Sequence, residues 1–188
     1  MQRVLVTGNA GAGKSTVAKA VSAILGFPIH HMDMAVWLPG WKKVPQDLRD
    51  RRVDEWTGEE AWVIDGVSSR VLSRADTVVF LDVPRRLSFW RVFWRNLPHL
   101  FKSRPELPPG CPEILIIPTL CRIIWQFPVR IRPGLMESMK EPMGKQQWIY
   151  LRTREEVAEF LSELEFGSGE EANKWRIQQQ PERASKVG

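Results

Sequence analysis

Three glycines at positions 8, 11 and 13, followed at once by Lys14 and Ser15, have the spacing of a phosphate cradle. The run Gly8-Asn9-Ala10-Gly11-Ala12-Gly13-Lys14-Ser15, with Thr16 after it, fits the pattern G-x-x-x-x-G-K-S/T and occurs once. The chemistry explains the residue types. Glycines let the backbone curl until its N–H groups converge on phosphate oxygens, and the helix that follows adds its positive end. Lys14 can reach the β- and γ-phosphates, and Ser15 can offer its hydroxyl to Mg²⁺. The expected ligands are therefore a nucleoside triphosphate and Mg²⁺. No Asn-Lys-x-Asp is present, which argues against a guanine-reading GTPase.

Other groups capable of chemistry fall at the ends of apolar runs. Asp33 follows one such run, where it could orient an acceptor hydroxyl or take its proton. Asp65 and Asp82 follow two more, and either could support a metal or cap a helix. His30 and His31 have no neighbouring Cys or His to complete a metal site. Trp37 and Trp41 either stack on an acceptor or cover the core. From Pro84 to Arg132 there are nine bases and two acids, so this stretch is strongly cationic within a chain of net charge +5. Eight of the nine bases are arginine, whose fork suits bidentate phosphate binding. A solvated basic helix face is the plainer reading.

These groups need elements to place them. Arg3–Val6 reads as a buried strand, and Lys14–Leu25 as a helix ending at Gly26. Further strands are expected at Phe27–His31, Ala61–Ile64, Thr77–Leu81 and Gln147–Leu151. Helices are expected at Gln46–Glu60, Arg85–Lys102, Glu113–Gln126 and Pro133–Lys140. On Arg85–Lys102, an apolar face of Leu87, Trp90, Phe93, Trp94, Leu97 and Phe101 must find packing partners. Met34–Pro45 and Ser103–Pro112 read as loops. Thr153 and Glu156 form a capping box for a last helix. Strands alternating with helices imply an α/β fold on a parallel sheet, with ligands at the carboxyl ends of its strands.

The expected organisation is one domain over residues 1–166, with a lid-like helical segment at about 85–132. Residues 167–188 are polar and rich in Gly, Ser and Gln, and read as a disordered tail. No leader segment, and no apolar run of the roughly 18 residues that span a bilayer, is expected. Cys111 and Cys121, without CxxC spacing, suit a reducing cytoplasm and argue against disulfides or zinc.

Gly8–Thr16, His30-His31-Met32-Asp33, Trp62-Val63-Ile64-Asp65-Gly66 and Ala75–Pro84 together resemble the adenylate-kinase-like P-loop kinases. The loop Arg104 to Glu113 and the stretch Trp125-Gln126-Phe127-Pro128, with Arg130 and Arg132 beyond, resemble more closely the FlaR or topology modulation group. The resemblance covers roughly residues 1–165. It implies a P-loop NTPase three-layer sandwich with a five-stranded parallel sheet in the order 2-3-1-4-5. It also implies transfer of the ATP γ-phosphoryl group to a small-molecule acceptor. Asp65 would help hold Mg²⁺ with Ser15, and is preferred to Asp82. Arg91 and Arg95, four apart on one helix face, would neutralise the transferring group, and Arg130 and Arg132 would close over both substrates. Asp65-Gly66 is followed by Val67-Ser68-Ser69-Arg70 in place of Phe-Pro-Arg, and Met32-Asp33-Met34 replaces Thr-Gly-Asp, so adenosine monophosphate is a doubtful acceptor. Two functions stand: a phosphotransferase, or a nucleotide-dependent regulatory or DNA-binding protein. No membrane partner is expected, and the oligomeric state is not legible.

Overall fold

Six consecutive residues, Arg3–Gly8, form strand β1, and every side chain after Arg3 is buried. Such a strand needs cover on both faces, which only a sheet inside helical layers provides. The computed structural model describes residues 1–97 and 108–166. The expected end of the helix at Lys102, the loop residues 103–107 and the tail 167–188 lie outside the described residues.

Helix α1 (Lys14–Leu25) follows β1, then β2 (Ile29–His31), α2 (Met32–Val36), β3 (Trp37–Leu38), β4 (Lys42–Lys43) and α3 (Gln46–Gly58). Next come β5 (Trp62–Asp65), α4 (Ser69–Leu72), β6 (Thr77–Leu81) and α5 (Arg85–Asn96). A 3-10 turn (Glu113–Leu115), α6 (Ile117–Arg130), α7 (Arg132–Lys140), β7 (Gln147–Leu151) and α8 (Arg154–Phe166) complete the described chain. The main sheet is parallel, in the order β2-β5-β1-β6-β7. With the separate hairpin β3-β4 set aside in the numbering, that is the expected order 2-3-1-4-5.

The period-two alternation of the strands sorts the core into two layers. Val4, Val6, Val79 and Ile149 pack with α1 and Phe160 of α8 on one face. Leu5, Ile64, Val78, Phe80 and Trp148 pack on the other with Met32, Val53, Phe127 and Leu135. The capping box of α8 is present: Glu156 N–H donates to Thr153 Oγ1 at 3.1 Å, and Thr153 N–H donates to the Glu156 carboxylate at 3.3 Å.

Three expectations need correction. Met34–Pro45 is not a plain loop: it supplies most of α2 and the antiparallel pair Trp37↔Lys43 and Leu38↔Lys42. The pair turns through Pro39-Gly40, where Gly40 has φ +77°. The helix expected at Glu113–Gln126 begins with a 3-10 turn and runs on to Arg130 through Pro128. The apolar face of α5 does not enter the core. The buried residues of α5 are Ser88, Val92 and Asn96, whereas Leu87, Trp90, Phe93, Trp94 and Leu97 are exposed.

Candidate functional site

The cradle is made by contact as well as by glycine flexibility. Gly8 has φ +147°, and a Cβ there would lie 2.4 Å from the Leu81 carbonyl oxygen at the end of β6. At Gly11, φ is +77° and a Cβ would lie 2.6 Å from the Ser88 carbonyl oxygen. The loop is thus pressed against β6 and α5, and any side chain at either position would displace backbone. Gly13 precedes α1 with no side-chain cap, and a helix start of this kind suits an anion. Lys14 Nζ lies across the loop, donating to the Asn9 carbonyl at 2.9 Å. Asn9, at an x position of the motif, is buried: its Nδ2 donates to the Ile124 carbonyl at 3.1 Å and its Oδ1 accepts from Ala10 N–H at 2.8 Å. It ties the loop to α6.

Asp65 ends β5 beside this loop. Its neighbour across the sheet is His31, in parallel register, and His31 Nδ1 lies 2.9 Å from Asp65 Oδ1. Burial pushes the Asp65 carboxyl up, but the bonds from His31 and Ser15 and the charge of Lys14 outweigh it, so the net shift is downward. Asp65 therefore stays anionic with Ser15 at its side, a pair of hard oxygen donors that suits Mg²⁺. His31 was doubtful in the sequence; only the register of two strands reveals it as the group that orients Asp65. Gly66 follows at φ +138°, where a Cβ would strike Met32 at 2.5 Å. His30 is structural: its Nε2 meets the Glu59 carboxylate at 3.0 Å and its ring stacks on Trp56.

The P-loop opens into a cleft of about 480 Å³. Gly8, Gly11, Lys14, Ser15 and Asp65 line it. Asp33, Trp37 and Trp41 line it too, as do Arg95, Gln126 and Arg130. Asp33 sits in the first turn of α2, just past β2, and is exposed. Trp41 adopts φ +59°, rare for an aromatic residue. Its indole N–H donates to the Pro112 carbonyl at 2.8 Å, and Gly40 N–H donates to the Gly110 carbonyl at 3.0 Å. These bonds hold the hairpin tip against the segment before α6. Trp37 meets Trp41 edge to face at 5.3 Å. Among the described residues no group of three or more His, Cys, Asp or Glu could hold a metal ion.

The four arginines expected to form a lid divide. Arg95 and Arg130 line the cleft. Arg91 does not: its Nη1 donates to the Ala12 carbonyl at 3.1 Å, behind the loop. Arg132 instead clasps Asp82, with Nε 3.0 Å from both carboxylate oxygens and Nη2 2.8 Å from Oδ2. The Tyr150 hydroxyl donates to the same carboxylate. Asp82 is thereby committed to an ion pair, which leaves Asp65 beside Ser15. Arg70 likewise turns away, donating to Asp54 at 2.9 Å and tying α4 to α3.

Burial raises the Asp82 carboxyl, but its bonds to Arg132 and Tyr150 carry it below its usual value. A depressed carboxyl stabilises the fold above its unfolded pKa of about 3.9, and that contribution is lost as pH falls through the folded value. Asp82→Asn is expected to destabilise at neutral pH by about 1–2 kcal/mol, less than a fully buried pair, because Arg132 is 39% exposed. The gap to the parent chain should narrow as pH falls below that unfolded value. Denaturant unfolding of both proteins from neutral to acid pH measures this; a gap that did not narrow at all would refute the assignment.

No family model matches the chain, and no curated protein does. Solved structures do. Shikimate kinase from Acinetobacter baumannii, in complex with shikimate, superimposes with a TM-score of 0.52 at 19% identity, over 87% of this chain and 90% of that one. Shikimate kinase from Bacteroides thetaiotaomicron gives 0.50 at 20% identity, over 87% and 96%. At such identity the likeness establishes the fold: this chain has the α/β fold of the P-loop kinases.

Proposed function

We propose that this chain is an ATP-dependent phosphotransferase that moves the γ-phosphoryl group of ATP to a hydroxyl of a small molecule. One observation carries the reading: a single cleft is lined by Lys14, Ser15 and Asp65 together with Asp33, Arg95 and Arg130. The loop suits a triphosphate, since Gly8, Gly11 and Gly13 take positive φ angles that let the backbone curl, and α1 begins without a side-chain cap. ATP, when bound with Mg²⁺, supplies the electrophilic phosphorus. Gly8 to Thr16 hold the phosphates through backbone N–H groups, and Lys14 pairs with their charge. Ser15 and Asp65 offer oxygens to the cation, with His31 fixing the carboxylate. Asp33 orients the acceptor hydroxyl and accepts its proton as the oxygen attacks. Arg95 and Arg130 balance the charge of the phosphoryl group in flight.

The names of the two structural neighbours support a kinase with a small acceptor. We place the chain with the FlaR or topology modulation group on Pro109–Glu113 and Trp125–Pro128, and in a reducing cytoplasm on its two free cysteines. Incubating the protein with Mg-ATP and a panel of nucleosides, nucleoside monophosphates, sugars and hydroxy acids tests the function. One acceptor class is expected to raise ADP release at least about tenfold over the acceptor-free rate. ADP release that no acceptor changes, but that DNA stimulates, would favour the regulatory reading.

A further inference from the structure

Helix α5 is inside out. Its inner face is largely polar: beside Val92, Ser88 Oγ, Arg91 Nε and Asn96 Nδ2 are buried there without a hydrogen-bond partner among the described residues. Its outer face carries Leu87, Trp90, Phe93, Trp94 and Leu97, with Trp90 61%, Phe93 58% and Trp94 53% exposed. An amphipathic helix normally buries such a stripe. α6 continues the feature, for Trp125 is 60% and Val129 76% exposed. The guanidinium of Arg85 lies 4.3 Å over the Trp125 ring, so the outer faces of the two helices meet at that pair. Isolated exposed apolar residues need no explanation, but a contiguous patch of this kind marks an interaction surface.

The charges on the patch select its partner. Arg85, Arg86 and Arg122 are exposed on these helices, and neither α5 nor α6 carries an acid. A second copy docked about a two-fold axis would set these arginines against themselves with nothing to neutralise them. The rings do not form a stacking platform for single-stranded nucleic acid either. Trp90 and Trp94 meet at 5.4 Å and 70°, and Phe93 and Trp94 at 5.6 Å and 84°, each ring turning its edge into its neighbour's face. Leu87, Leu97 and Val129 complete the patch, and aliphatic side chains give bases nothing to stack on. Tryptophan, phenylalanine and leucine on one helix face, flanked by arginine, is the composition that settles at the boundary between lipid headgroups and acyl chains.

We infer that the outer face of α5, with Trp125 and Val129 of α6, docks on the surface of an anionic lipid bilayer. The sequence expectation is no membrane partner, and surface docking departs from it; among the described residues no helix is long and apolar enough to cross a membrane. The helices lie in the interface instead. Aromatic and aliphatic side chains enter the headgroup region while Arg85, Arg86 and Arg122 pair with lipid phosphates. This inference does not depend on the acceptor or on phosphoryl transfer.

Co-sedimentation of the full chain with vesicles tests it. Vesicles of phosphatidylcholine with one quarter phosphatidylglycerol are expected to bind at least about tenfold more protein than phosphatidylcholine alone, and added salt should weaken that binding. Trp90→Ser with Trp94→Ser is expected to abolish it while ATP binding persists, as neither side chain lines the cleft. Bromine-labelled lipid should quench the tryptophan fluorescence of the unaltered chain, a readout that needs no variant. Three results would overturn the proposal: protein left in the supernatant with anionic vesicles and no quenching, vesicle binding unchanged in the double variant, or the two tryptophans being required for a dimer or for binding an oligonucleotide in place of vesicles.

Discussion

Lys14→Ala is expected to reduce ATP turnover below detection while leaving the fold intact. The lysine carries the only side-chain cation within the P-loop, at the start of α1 where phosphates would meet the helix. Its ammonium already lies over the loop, 2.9 Å from the Asn9 carbonyl, so little movement brings it onto a phosphate oxygen. A charge aimed at the transferring group in a site shielded from water is worth about 3–4 kcal/mol or more in the transition state, a rate loss beyond about 10²-fold. Stability should change by less than about 0.5 kcal/mol, because Lys14 is outside both core layers. Lys14→Arg should fail as well, since a planar fork cannot take the place of a compact ammonium in so tight a loop. ADP release and thermal unfolding, measured together, separate lost chemistry from lost folding. Turnover unchanged in the alanine variant would sink the phosphotransferase reading, and a collapsed melting curve would show Lys14 to be structural.

Local signals made the donor side legible. The P-loop, Lys14–Leu25, Thr77–Leu81, Gln147–Leu151 and the Thr153/Glu156 capping box depend on neighbours in sequence, and each stands where its pattern puts it. The α/β class and strand order follow from alternating strands and helices and from the resemblance those segments carry. Contacts between distant segments were not legible. His31 reaches Asp65 because β2 and β5 pair in one register, a fact of the folded sheet. Arg132 and Asp82 are 50 residues apart, and nothing local to either announces the other. The aromatic stripe of α5 is the sharpest case. Helical periodicity correctly gives a continuous apolar face, but it cannot say which way that face turns. Here the polar face is drawn inward, where Gly11 abuts Ser88 and Arg91 bonds Ala12. Building the cradle outweighs burying the tryptophans.

That inward face decides how Arg91, Arg95, Arg130 and Arg132 should behave. Arg95→Ala with Arg130→Ala is expected to lower kcat by about 10³-fold, on the scale of removing two clamps from a transferring phosphoryl group. The loss should fall mainly on kcat, with a smaller rise in KM for ATP, because the N–H groups of Gly8 to Thr16 and the Lys14 charge still hold the ground-state nucleotide. The two guanidinium groups would act on one group of oxygens, so the double variant should fall short of the product of the single effects. Arg132→Ala should do the opposite. It strands Asp82 beside Tyr150, so stability falls, while kcat of the folded fraction stays within about threefold, since Arg132 is no part of the cleft lining. Arg91→Ala should show loss in both readouts, as Arg91 braces the Ala12 carbonyl from behind the loop. Steady-state kinetics with the best acceptor from the panel, paired with denaturant unfolding of each variant, distinguishes these outcomes. If Arg132→Ala removed kcat at full stability while the Arg95/Arg130 double variant kept its rate, Arg95 and Arg130 would not be the groups that meet the phosphoryl group, and Arg132 would have to leave Asp82 for the phosphates during turnover.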